Sequence, residues 1–208
     1  MTDRDRGISP GEIEELLLDR WRDSLRQVEE AAWKLVWFYG RTGRQGEAFA
    51  SLEQVIAVTP DPEQKAVCFL SLGQVLEQTE DYADAIVAYR KAFALEPSRT
   101  DVWYLIHNNL GFCLNQIGQH AEAEGYCRQA IAIDAARHNA HKNLGVALDG
   151  QGRNLEAARA YVTAATACPE DPRALRHLQA LLARQPEVEA EIRGALEGLL
   201  QPANDPGR

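Results

Sequence analysis

Apolar positions along this chain recur at intervals of three and four residues, the period of a helix, not the period of two that marks a strand. Ile13, Leu16, Leu17, Trp21, Leu25 and Val28 trace one such stripe. Ser9-Pro10 followed by Glu12 has the chemistry of a helix start, so a helix is expected over residues 10–28. Near the other end Leu175, Leu178, Leu181 and Leu182 trace a second stripe. Beyond Pro186, Val188, Ile192, Leu196 and Leu199 trace a third. The expectation is a chain that is helical throughout.

Between the end stripes the pattern copies itself. Leu72-Gly73, Leu110-Gly111 and Leu144-Gly145 are each followed, thirteen residues after the Leu, by Ala85, Ala123 and Ala157. Leu35-Val36 with Ala48 is an earlier copy without the Gly. Four residues past each Ala come Leu52, Tyr89, Cys127 and Tyr161, and seven past it Val55, Ala92, Ala130 and Ala164. Twelve past it come Pro60, Pro97, Ala135 and Pro169. A Gly inside a helix costs about 1 kcal/mol against Ala, so its recurrence calls for a packing reason, the close approach of a neighbouring helix. Gly43, Gly118 and Gly152 fall where a left-handed helix stop suits Gly, with Glu80-Asp81 standing there in the second copy. Each Pro then ends a helix, because its ring cannot continue one.

These residues resemble the tetratricopeptide repeat (TPR), whose pattern sets an aromatic, Leu-Gly, Ala, an aromatic and Pro over 34 residues. The resemblance covers residues 29–171 as four units, 29–62, 66–99, 104–137 and 138–171. It implies an all-α, right-handed superhelix (an α-solenoid) of antiparallel helix pairs, A then B, with helical caps. Residues 1–28 form the N-terminal tail and capping helix in this reading, 172–201 a degenerate C-terminal capping pair, and 202–208 a flexible tail. From Ala48 to Ala85 and from Ala85 to Ala123 the copies lie three and four residues further apart than from Ala123 to Ala157. The extra residues sit near 61–65 and 98–103 and amount to about one helical turn. Helices A of the second and third units are therefore expected to start early, on Pro62-Glu63 and on Ser98 or Thr100 before Asp101.

Composition narrows the function. Lys and Arg number 22 against 31 Asp and Glu, a net charge of -9, which argues against non-specific nucleic-acid binding. No apolar run approaches a bilayer span, and the N-terminus lacks an apolar signal core, so no membrane association is expected. The four cysteines are widely spaced with no CxxC pair, which suits free thiols in the cytoplasm. Cys113 and Cys127 hold apolar repeat positions and are expected to be buried and slow to react. No phosphate-binding loop and no HExxH helix is present. His107 and His141 share one repeat position, which packing explains, and His138 with His141 lacks the further ligands a metal needs. No cofactor, no metal site and no catalysis are expected.

The resemblance also implies a concave groove lined by helices A. Counting from each Leu-Gly pair puts Trp33, Trp37, Gln74, Asn108, Asn109, Phe112, Asn115, Asn139, Lys142 and Asn143 on it, joined by Arg173, Arg176 and His177 from the cap. Asn109 and Asn143 stand at equivalent positions, and an amide can pair with a peptide backbone whatever its sequence. Both are expected to face away from the core. Trp33 and Trp37 lie on one helix face, as apolar anchors for a ligand or as a seat for the N-terminal helix. Lys142, Arg173, Arg176 and Arg184 make one end of the groove basic. Some TPR domains clamp a partner's C-terminal carboxylate with Lys, Asn and Arg from successive helices A. Of the matching slots here, Asn143 and Arg173 agree, His177 agrees in part, and Asn108 and Phe112 do not, which leaves a looser site for an anionic peptide. The expected function is a non-catalytic scaffold that binds a peptide segment of another protein. The alternatives are a module that self-associates through a cap and an accessory domain of an enzyme complex.

Overall fold

The computed structural model describes residues 14–20, 23, 24, 27, 30, 34 and 42–200, and residues 14–20 are helical. Trp21, Trp33 and Trp37 lie outside the described residues. From Gln45 onward nine helices follow one another among the described residues: α1 (Gln45–Val58), α2 (Pro62–Gln78), α3 (Tyr82–Phe93), α4 (Thr100–Gln116), α5 (His120–Ile133), α6 (His138–Gly150), α7 (Asn154–Ala167), α8 (Pro172–Arg184) and α9 (Glu187–Leu200). No strand occurs among the described residues. Each helix packs on the next, and helices of the A type also touch one another: α2 meets α4, α4 meets α6, and α6 meets α8. That second contact makes a continuous inner surface from α2, α4, α6 and α8.

The turns between A and B helices follow one design. Gly118 and Gly152 take φ of 78° and 74°, and the amide that follows each bonds back to the last turn, Gln119 N to Leu114 O at 2.9 Å and Arg153 N to Leu148 O at 3.0 Å. The left-handed residue lets the chain satisfy helix-end carbonyls that would otherwise be orphaned. Glu80 does the same work at φ 62°, with Asp81 N bonded to Leu76 O at 2.9 Å, although a side chain is disfavoured there.

Helices α2 and α4 have 17 residues each and α6 has 13, so the longer spacing between the early units is spent on an added first turn. Asp61 caps α2 by accepting from the Glu63 amide at 3.3 Å. The expected cap on α4 is not formed. Arg99 holds the cap position without capping the helix, its side chain going to Asp101 at 2.6 Å, and the Ser98 amide and hydroxyl donate instead to the Glu63 carboxylate at 2.6 and 2.9 Å. Ser98 therefore ties α2 to the α3–α4 loop, a contact across 35 residues of chain.

The core runs along the array. One apolar cluster spans Ala48 to Ala147, and a second spans Cys127 to Ile192. Tyr89 and Tyr161, in α3 and α7, are fully buried. Their rings lie against Gly73 and Gly145 so closely that a methyl group at either glycine would collide with them. In the third unit the same slot holds the Cys127 sulfur against Gly111. Cys113 and Cys127 are both fully buried. Desolvation pushes the Cys127 thiol up to about 12 and raises the Cys113 thiol well above its ordinary value.

Candidate functional site

Helical spacing sets Asn108, Asn109 and Phe112 on the inner face of α4 and Asn139, Lys142 and Asn143 on the inner face of α6. With Glu77 from α2 and Arg173 from α8 they line a cavity of about 210 Å³. Asn109, Lys142 and Asn143 are 8%, 7% and 3% exposed, so this is the floor of the groove and not its rim.

The asparagine amides are already engaged. Tyr89 donates its hydroxyl to Glu77 Oε1, and Asn109 Nδ2 donates to the Tyr89 hydroxyl at 3.2 Å. Asn108 Nδ2 donates to Asn109 Oδ1 at 3.0 Å, and Asn143 Nδ2 donates to Asn108 Oδ1 at 3.1 Å and to the Asn108 carbonyl at 3.4 Å. Asn115 Nδ2 donates to the Asn143 carbonyl at 2.9 Å, and Asn115 Oδ1 pairs with His120 Nδ1 at 3.1 Å. One chain of hydrogen bonds thus joins α2, α3, α4, α6 and α5. Buried amides need partners, and these find them in the neighbouring helices. The expectation that Asn109 and Asn143 face away from the core is corrected accordingly.

The charges differ from one another in the same way. Arg173 pairs with Asp171 at 2.6 Å and donates to Asn139 Oδ1 at 2.9 Å. The guanidinium holds the Asp171 carboxyl far below its usual range, and His138 Nε2 approaches the same carboxylate at 3.1 Å. Arg184 pairs with Asp149 at 2.8 Å. The basic end of the groove is therefore largely neutralised from within. Among the described residues two exceptions remain, the exposed Arg176 and the buried Lys142, of which Lys142 lines the cavity. Among the described residues its ammonium has no hydrogen-bond or salt-bridge partner, and Nζ stands 5.7 Å from the centre of the Phe112 ring. Burial, reinforced by Arg173, pushes its pKa down to about 8. Across the cavity burial raises the pKa of Glu77, against the lowering effect of the Tyr89 and Cys113 hydrogen bonds and of Lys142.

The family model for the tetratricopeptide repeat matches residues 70–140 and 142–208. The chain belongs to the TPR family. A small glutamine-rich tetratricopeptide repeat-containing protein of Mycosarcoma maydis is 38% identical over 89 residues, which cover 43% of this chain and 24% of that protein. An uncharacterised TPR repeat-containing protein of Arabidopsis thaliana is 31% identical over 119 residues, 52% of this chain. The chain spans only 14% of that plant protein's length. Among solved structures, a MamA fragment from Desulfovibrio magneticus superposes with a TM-score of 0.66 at 21% identity, covering 83% of this chain and 93% of that one. The Hsp90 co-chaperone Cns1 of Saccharomyces cerevisiae gives 0.58 at 19% identity, over 67% of this chain and 45% of its own. At such identities the likeness is one of fold.

Within the TPR frame the structure sorts the expected groove residues. Asn108, Asn109, Phe112, Asn139, Lys142, Asn143 and Arg173 gather around one cavity. Asn115 is buried between α4 and α6, and Gln74 is half-buried on α2 without lining the cavity. Arg176 is exposed outside the cavity. His177 lies flat on Tyr161, with ring centres 5.4 Å apart and an interplanar angle of 10°. Burial lowers its pKa. Glu77 was not foreseen. The signal for it was present, because the residue five past the Leu is polar in three copies, Glu77, Asn115 and Asp149.

Proposed function

We propose that this chain is a non-catalytic scaffold whose concave groove holds a peptide segment of another protein, with an acidic group of that segment seated near Lys142 and Arg173. The observation that carries the reading is the buried Lys142 ammonium, which lines an open cavity with no anion bonded to it among the described residues. Phe112 and the free amide hydrogens of Asn139 are at hand beside it. Family membership supports protein binding in general, and one relative is named for assembly work, the photosystem I assembly protein Ycf3 of Acaryochloris marina. The free cysteines suit the cytoplasm, and among the described residues no helix is long and apolar enough to cross a membrane.

The test is a titration of the native chain with a pool of short synthetic peptides rich in Asp and Glu, against the same pool with Asn and Gln in their place. The acidic pool should bind and the amide pool should not. Lys142→Gln should weaken binding by roughly tenfold, the cost of one charge-assisted contact. Because Lys142 is buried, that loss should persist at high salt, whereas the share due to the exposed Arg176 should fade. If neither pool binds and light scattering shows mass rising with concentration, the chain is a self-associating module instead.

A further inference from the structure

Lysine side chains in folded proteins place the ammonium in water or against a carboxylate, since burying a bare charge is costly. Lys142 does neither. It is 7% exposed, has no hydrogen-bond or salt-bridge partner among the described residues, and lines an open cavity that also receives Arg173. A lysine desolvated beside another cation is the arrangement that yields a neutral, nucleophilic amine near physiological pH. The other lysines with described side-chain surroundings differ: Lys91 is exposed over the Phe69 ring, and Lys65 lies half-buried in the first turn of α2.

We infer that Lys142 is a covalent acylation site for small acyl donors with an anionic leaving group, of which acyl phosphates are the simplest class. The inference goes beyond peptide binding and concerns the groove when no acidic group of a peptide occupies this cavity. The cavity of about 210 Å³ is large enough for such a donor. The Asn139 amide lines the same cavity and can donate to its phosphate, while Arg173, held by Asp171 and Asn139, lends positive charge to the wall. The neutral Lys142 amine attacks the carbonyl carbon, and a nitrogen–carbon bond forms. The carbon–oxygen bond to phosphate breaks, its electron pair leaves with the phosphate, and the amine loses its proton to solvent. The product is a neutral amide, which removes the desolvated charge from the groove floor.

The groups that act on the amine's charge come from three of the helices around it: Glu77 from α2, Cys127 from α5, and from α8 Arg173, its cap Asp171 and His177, while α4 presents only Asn108, Asn109 and Phe112 to the cavity. Arg173 favours the neutral amine, and Asp171 and Glu77 favour the ammonium, while Cys127 stays an uncharged thiol near neutral pH.

The native chain is incubated with acetyl phosphate at pH 7.5, and acetylation of each lysine is followed by peptide mass spectrometry. There are four lysines to compare, Lys34, Lys65, Lys91 and Lys142. Lys142 should be modified about tenfold faster than Lys65 or Lys91, because more of its amine is neutral. The advantage should vanish in guanidinium chloride. Glu77→Gln should speed Lys142 labelling and Arg173→Gln should slow it. Labelling of native Lys142 no faster than Lys65 and Lys91 would overturn the assignment, and this wild-type comparison decides the matter even where a variant fails to fold. Fast labelling that ignores both substitutions would overturn the role given to the cavity.

Discussion

Tyr89 and Tyr161 occupy the same slot in two repeats, each ring fully buried against the glycine of its own A helix. Their hydroxyls meet different fates. Tyr89 donates to Glu77 and accepts from Asn109, so both helices of its own unit and the next unit are joined through one oxygen. At the corresponding positions around Tyr161 stand Asp149 and His177. Asp149 is a methylene shorter than Glu77 and is bound to Arg184. His177 stacks on the tyrosine ring instead of bonding to its edge. The Tyr161 hydroxyl is buried with no hydrogen-bond partner among the described residues. One steric design thus supports two kinds of junction, a polar one between the second and third units and an apolar one between the fourth unit and α8.

Substitutions can break or sharpen this contrast. The largest expected effects come from emptying the aromatic slots: Tyr161→Ala should cost about 3–5 kcal/mol in urea denaturation, and Tyr89→Ala more than Tyr161→Ala, because it also strips Glu77 and Asn109 of a partner. Equal losses would show that the Tyr89 hydroxyl adds nothing. Removing the hydroxyl alone should separate them. Tyr89→Phe should cost about 1–3 kcal/mol, because Glu77 and Asn109 lose a buried partner, while Tyr161→Phe should be neutral or stabilising. Equal effects would dissolve the distinction drawn here.

A smaller effect follows from the raised pKa of Glu77. A carboxyl whose pKa is higher folded than unfolded stabilises the fold below its unfolded value and loses that contribution as pH rises through the folded value. Glu77→Gln keeps an acceptor for Tyr89 and cannot ionise. Its melting temperature should therefore gain on the wild type as pH rises from about 4, the usual carboxylate value, towards neutrality. A constant difference across that window would mean the carboxyl titrates as if exposed. The smallest effect concerns the turn: Glu80→Gly should stabilise by about 0.5–1 kcal/mol by relieving a left-handed side chain. Thermal melting would detect it.

Much of this was readable beforehand, and the reasons are local. Leu-Gly, Ala and Pro at fixed intervals dictate where helices start, stop and touch, and the added turns of α2 and α4 follow from counting. Spacing also places Asn109, Lys142 and Asn143 on one surface. It does not say what lies opposite them, because that depends on how adjacent units stack. Asn108 reaches Asn143 across 35 residues, and Tyr89 meets Asn109 across 20. Whether an amide is open to a ligand or consumed by a neighbour is decided at that range. The same limit applies to charge: Arg184 reads as a free cation in the sequence, and Asp149, 35 residues earlier, neutralises it. Ser98 reads as a helix cap for the same reason, with Glu63 hidden from view.

The unmatched Tyr161 hydroxyl also bears on how the chain would respond to force. Pulled from its C-terminal end, the array has a weaker plane before α8, crossed by apolar contact and by the Arg184–Asp149, Arg173–Asn139 and His138–Asp171 contacts, and a reinforced region behind it, stitched from α2 to α6 by amides. Helices α8 and α9 should come away first as one step. The 29 residues from Pro172 to Leu200 would release on the order of 100 Å of contour length in an optical trap, at about 3.5 Å per residue. The units that share the Tyr89–Asn109–Asn143 chain should yield later and together, at a higher load.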